Sequence, residues 1–393
     1  MTIRTLDAQL AAVPPTASLG LEDPKWQELR GNFEDRAFLT LHYASELYTA
    51  RLCLLLMGDL GWEPRLRAGA TAAELAEGLP AQTALPLAWM LGFAAQQGLL
   101  ARTGDRFHWI GEPDLDLAAL RARCEAEAPG HAANFDLLDG VRRVIPPFFT
   151  EGKPGEKLVY DLSLFALWLA YFRNDNKAYG INNLLPLVAL REGLPEGARV
   201  LELGAGAGSF AQLLAQDAAA RGYLDRIREY RFTDIAPAFL RRAQREMKEK
   251  APGLPLSFSH LDLNGDLDAQ GVEDESLDAI VAVNVLHLAK DLPRDLAALR
   301  RKLAPGGRLV LGECMKSDLA SPIFLEFIFN FMSAFRDVGL DPELRPAHGF
   351  LTPEIWERAL RHAGFSKVES YPDIRGLMSR IPSFFVGAMA ATR

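Results

Sequence analysis

Three glycines spaced two apart follow an acid in the run Val200-Leu-Glu202-Leu-Gly204-Ala-Gly206-Ala-Gly208. An apolar strand ending in such a run turns sharply into a helix. Glycine admits close approach of a ligand to that backbone, because a Cβ would stand in the way. The spacing then separates ligands. A dinucleotide fingerprint is G-x-G-x-x-G, and its third glycine would fall on Ser209. Glu202, two residues ahead of the first glycine, repels a pyrophosphate and suits a cationic amino group. The next strand ends at Asp234, in Arg231-Phe-Thr-Asp234-Ile235-Ala-Pro237. An acid there accepts hydrogen bonds from both hydroxyls of a ribose, with Ile235 beside it on the same ligand. Asp234 also has the type and place of an N-cap for a helix over 237–248, and both roles are compatible. Asp262, with Leu263, closes a third strand and is placed to accept from an adenine amino group. Asn284 closes a fourth, and Glu313 a fifth.

The elements that must position these residues are strands alternating with helices. Strands are predicted at 199–203, 228–234, 256–261, 277–283, 308–313, 366–371 and 384–390. Helices lie between the first five, which implies a doubly wound, Rossmann-like seven-stranded sheet in an α/β domain over 191–393. Ligands bind such sheets outside the carboxyl ends of the strands, where the residues above fall.

Ahead of this domain the pattern is helical. Residues 13–25 are Pro-rich and read as an arm. A helix is expected over 33–62. Thr71 and Glu74 form a capping box for a short helix through Glu77, and Thr83 caps a second helix through Gln97 that carries Leu87, Met90, Leu91 and Ala94 on one face. A hairpin follows around Thr103-Gly104-Asp105. Helix, turn, helix and a two-stranded wing make residues 1–114 a winged-helix-like unit. Its second helix, TALPLAWMLGFAAQQ, has no Arg or Lys for phosphates or guanine edges, which argues against DNA. Residues 115–190 read as an aromatic-rich helical linker contributing to a substrate pocket, with Tyr179 and Asn183 as candidate contacts.

Residues 198–313 resemble the class I S-adenosylmethionine-dependent methyltransferases. Glu202-x-Gly204-x-Gly206-x-Gly208 is similar to their first motif, Asp234 matches the ribose acid, and Asp262-Leu263 match the adenine site. Asn284 matches the position whose carbonyl holds the methionine amine. Together with the N-terminal unit, the chain looks like the small-molecule O-methyltransferases, which are homodimers through that region. The resemblance places a general base at His287 and a flanking acid at Glu313. It implies S-adenosyl-L-methionine as cofactor and no metal. Two positions depart from that family: Leu288 stands where an acid often follows the histidine, and no acid lies near Gly349-Phe350.

Methyl transfer is an in-line displacement, so alignment supplies much of the rate. A phenol or alcohol needs a base, and a histidine with an ordinary pKa near 6.5 suits neutral pH. A carboxylate needs none. The expected reaction is O-methylation of a small, apolar or aromatic, natural-product-like or peptide-derived acceptor, with C- or N-methylation as the alternative. The remoter alternatives are an NAD(P)-dependent oxidoreductase and a non-catalytic regulator. His348 is a second candidate base, read by preference as a solvated loop residue. The stretch Pro322–Phe335, PIFLEFIFNFMSAF, reads as one helix with Phe327, Phe331 and Phe335 on one face as a pocket roof. Arg336 and Arg345 follow, with the type to hold an acidic group.

The 393 residues carry a net charge of −8, which disfavours a nucleic-acid or anionic-membrane surface. Three cysteines without metal spacing, and no signal peptide or membrane span, read as a cytoplasmic protein with reduced thiols.

Overall fold

The structure, a computed structural model, describes residues 5–13, 35–111, 115–130, 132–380 and 384–393. The expected arm falls largely on 14–34, outside the described residues.

A 24-residue helix, Arg36–Asp59, is buried on nearly every side and forms the centre of the N-terminal unit. Its leucines and alanines fill the core on several faces, and buried polar residues find partners inside it: Thr40 on Glu127, Ser45 on the Leu41 carbonyl and Glu46 with Gln9. β1 (Ala70–Thr71) leads into the helix Ala72–Ala76, whose capping box is reciprocal. Glu74 N donates to Thr71 Oγ1 at 3.1 Å and Thr71 N to Glu74 Oε2 at 2.8 Å. The second helix, Ala84–Gln96, buries Leu87, Met90, Leu91 and Ala94 as expected. Thr83 does not cap it. A 3₁₀ turn over Ala81–Thr83 puts its hydroxyl on the Pro80 carbonyl at 2.7 Å instead. β2 (Leu100–Thr103) and β3 (Arg106–Trp109) form the hairpin, and β1 adds to β3.

The larger sheet has seven strands. They are β4 (Ala198–Leu203), β5 (Ile227–Asp234), β6 (Leu256–His260), β7 (Leu277–Val283), β8 (Leu303–Cys314), β9 (Lys367–Tyr371) and β10 (Val386–Thr392). Their order is β6-β5-β4-β7-β8-β10-β9. β4 to β8 run parallel, and β10 is antiparallel to both neighbours. β8 starts five residues earlier than its apolar stretch suggested, because Leu303 already pairs with Leu277.

Alternation along the strands feeds two cores. Leu201, Leu203, Ile280 and Leu309 face one side, with the helices Leu292–Lys302 and Pro353–His362. Ala198, Val200, Val281 and Val310 face the other, in a core continuous with the N-terminal helices. The helix Lys177–Glu192 packs on β8 and β10 and runs across the boundary expected at 190. It lies so close that a Cβ at Gly312 would sit 2.8 Å from the Pro186 ring. Its second half therefore belongs to the sheet. Among the described residues no helix is long and apolar enough to cross a membrane.

Candidate active site

β4 ends in the glycine run, and the chain turns there through three left-handed residues: Gly204 (φ +59°), Gly206 (+52°) and Gly208 (+78°). Only glycine adopts that conformation without cost. Two of the three are also crowded. A Cβ at Gly204 would lie 2.6 Å from Val285 Cγ2, and one at Gly208 2.7 Å from Met247 Sδ. Asp234, buried at the end of β5, ties this loop down. Its Oδ2 accepts from Gly206 N at 2.8 Å and its Oδ1 from Ala236 N at 2.7 Å. It does not cap the helix Pro237–Lys250; Ala236 holds the cap position. Burial raises its carboxyl above the usual range against the pull of those two amides.

Glu202 is buried beneath the loop, with Oε2 accepting from the Tyr230 hydroxyl at 2.7 Å. Desolvation pushes it up to about 8; the tyrosine bond opposes this and the charge of Asp234 adds to it. Asp262 follows β6, its Oδ1 accepting from Asn264 N at 2.9 Å, and Leu263 beside it is buried. Ile235, next to Asp234, is 56 % exposed. Tyr160, from the helical linker, is also half-exposed, and its hydroxyl feels the charge of Asp234.

Asn284 follows β7 in a left-handed conformation (φ +54°), unusual for a residue other than glycine. Its side chain accepts from Cys314 N at 3.0 Å and donates to Asn182 Oδ1 at 3.1 Å. Sequence reasoning missed Asn182, because nothing local links position 182 to the end of β7. The neighbouring Asn183, the expected substrate contact, faces elsewhere. It donates to Asn174, which holds the Ser209 carbonyl, so Asn183 braces the start of the helix Ser209–Arg221. Tyr179 is partly buried against Tyr171 and Phe172, and the charge of Glu202 acts on its hydroxyl.

The short turn Leu286–Leu288 carries His287, which is almost wholly buried. Its Nδ1 lies 2.8 Å from Glu313 Oε2. Glu313 Oε1 accepts from the backbone N–H groups of Val285 (3.0 Å), Leu286 (2.7 Å) and His287 (3.3 Å). A carboxylate on three amides leaves the ring nitrogen as the donor in the fourth bond, so Nδ1 carries a proton. Nε2 is buried and has no hydrogen-bond partner among the described residues. Phe350, Phe335 and Phe329 stand around the ring, with centroids at 4.8, 5.7 and 6.1 Å.

The aromatic insertion differs from its expected form. It is two short helices, Glu326–Phe329 and Ser333–Arg336, and the chain turns extended at Met332. The three phenylalanines therefore do not share a face. Phe335 reaches His287. Phe331 packs against Phe148 and Phe149 of the linker, and Phe327 against Phe331 and the Trp89 ring. Those two are core between the N-terminal helices and the insertion, where Trp89 Nε1 also donates to Glu326 Oε2 at 2.8 Å. His348 is not a solvated loop residue. It is partly buried, and its Nδ1 has no partner among the described residues. A groove of about 800 Å³ opens beside Ala207 and Ser209 but touches neither Asp234 nor His287.

Comparison with known proteins adds three findings. A family model described as a methyltransferase domain matches residues 201–309. The polyketide synthase ThaG of Burkholderia thailandensis is 30 % identical over 259 residues, covering 64 % of this chain and 4 % of ThaG. The chain spans about a tenth or less of the length of the curated relatives it matches. Among solved structures, the CurJ carbon methyltransferase superposes with a TM-score of 0.77 at 22 % identity, over 97 % of this chain and 99 % of that one. The trans-methyltransferase CalH, solved in complex with SAH, superposes with a TM-score of 0.60 at 19 % identity, over 90 % and 91 %.

Proposed function

We propose that this chain, which carries a methyltransferase domain over residues 201–309 within the S-adenosylmethionine-dependent methyltransferase fold, methylates carbon, at an acidic methylene of a polyketide chain. The sequence suggested oxygen first and carbon second. Likeness to a carbon methyltransferase and to polyketide synthases favours carbon.

The residues fit the cofactor. The loop at 204–208 has no room for a Cβ at Gly204 or Gly208, Asp234 stands at the ribose end of β5, and Glu202 offers a buried carboxyl. When bound, S-adenosylmethionine supplies a methyl group on a positively charged sulfur.

The observation that carries the proposal is the His287–Glu313 pair with its open Nε2. A methylene between two carbonyl groups is a carbon acid, and it needs a base held out of water. His287 Nε2 takes one C–H proton, and the electron pair spreads onto the adjacent carbonyl oxygen. Glu313 keeps Nδ1–H fixed and stabilises the imidazolium that forms. The nucleophilic carbon would then bond to the methyl carbon as the methyl–sulfur bond breaks, its electron pair staying on sulfur as a neutral thioether, and the proton leaves His287 for solvent. The phenylalanines around the ring exclude water, and one of them must turn aside to admit the acceptor. A carboxylate acceptor would leave this base without a purpose.

The test supplies cofactor labelled with ¹³C in the methyl group and a 3-oxoacyl thioester that also bears a hydroxyl. The label should appear on the carbon between the carbonyls, and His287→Ala should slow transfer roughly 10²- to 10⁴-fold. Label on oxygen would overturn the proposal.

A further inference from the structure

Arg345 is a fully buried cation that the reaction above does not use. The chain plants it at the foot of a tight turn. Asp341 and Arg345 exchange backbone hydrogen bonds at 2.9 and 3.0 Å, and the Asp341 carboxylate holds the amides of Glu343 and Leu344. From there Nη2 donates to the backbone carbonyl of His287 at 2.6 Å and, at 3.5 Å, to that of Gly349. Nε and Nη1 are buried without a partner among the described residues. The charge of Glu313 acts on the guanidinium. Burial holds it down to about 10, so it stays charged at neutral pH.

The need for such a cation follows from Glu313. A buried carboxylate against an imidazole favours the imidazolium, and an imidazolium is no base. The other groups around His287 do not offset that pull. Phe329, Phe335 and Phe350 carry no charge. Glu326 and Lys316, on the far side of Gly349, pair with each other at 3.3 Å. Arg336 is turned to the Met332 and Gln82 carbonyls. His348, just before Gly349, makes no bond to the His287 ring, whose Nε2 has no partner among the described residues.

We propose that Arg345 is a positioning residue that sets the charge state of His287. Its fixed positive charge counters Glu313 and keeps the imidazole neutral, while its bond to the His287 carbonyl holds the turn that aims Nε2. This rests on His287 acting as the base, and the geometry of Nη2 on the His287 carbonyl carries it. Lysine supplies the same charge from a single point; arginine combines charge with a planar set of donors.

The test reads the imidazole directly and needs no acceptor. The chain has seven histidines. ¹⁵N-labelled imidazoles are titrated by NMR, with His287 assigned by its loss in His287→Asn. Arg345→Met should raise the titration midpoint of His287 by about one unit or more. Arg345→Gln keeps a donor for the His287 carbonyl but loses the charge, and it should do the same; it also replaces the methionine variant if that fails to fold. Arg345→Lys should stay within a few tenths of the parent. A midpoint unmoved in Arg345→Gln, or raised equally in Arg345→Lys, would overturn the proposal. If the methyl group proves to land on oxygen, the titration result stands on its own, so the two failures are distinguishable.

Discussion

Glu202 is a carboxyl that burial holds protonated well beyond its ordinary range. The sign for stability follows. The folded state keeps the proton between the ordinary value of 4.5 and about 8, where the unfolded chain has lost it. Stability from this group is full below 4.5 and is lost as pH rises toward 8. Glu202→Gln cannot ionise, so its gain in melting temperature over the parent should grow from near zero at pH 4.5 to a plateau above pH 8. A gap that stays constant with pH would mean Glu202 does not titrate in this window. Glu202 was legible in sequence because the glycines it precedes lie on one short run, whereas its bond to Tyr230, 28 residues on, left no local mark. Arg345 was legible only as a cation of no settled role, because its bond to His287 depends on a turn that brings residues 58 apart together. The meeting of His287 with Glu313 came from family resemblance; spacing alone does not place the ends of β7 and β8 side by side.

At the scale of elements, the parallel strands and their helices were readable because alternation and 3.6-residue periodicity are local signals. The aromatic insertion was not. Its break near Met332 has no proline or glycine to announce it, and the chain gives up helix there to seat Phe331 and Phe335 in different places. The two rings should therefore behave differently. Phe331→Ala empties a core site between Phe148 and Phe149 and should cost about 3–5 kcal/mol of stability. Phe335→Ala, against the imidazole, should instead change the KM and kcat for the acceptor. Denaturant unfolding and steady-state kinetics on both variants check this. Equal loss of stability with unchanged kinetics in Phe335→Ala would argue that its ring is packing alone.

At the scale of the whole molecule, one apolar core runs from Leu6 in the N-terminal helices to Ala390 in β10. Trp89 meets Glu326 across the seam, and Glu156 holds the amide of Ser333. The sequence suggested separate segments, since the pattern turns to alternating strands and helices from residue 198 while contacts across the seam leave no local mark. The structure predicts a single unfolding transition. Far-UV circular dichroism and tryptophan fluorescence should give the same midpoint, and two separated midpoints would mean the halves fold independently. The helix Lys177–Glu192 has a practical meaning for protein engineering. It begins among the linker aromatics, touches Asn284 through Asn182, and presses Pro186 onto Gly312. Anyone grafting a new N-terminal half onto this sheet should place the splice ahead of Lys177, so that the helix travels with the strands it measures against.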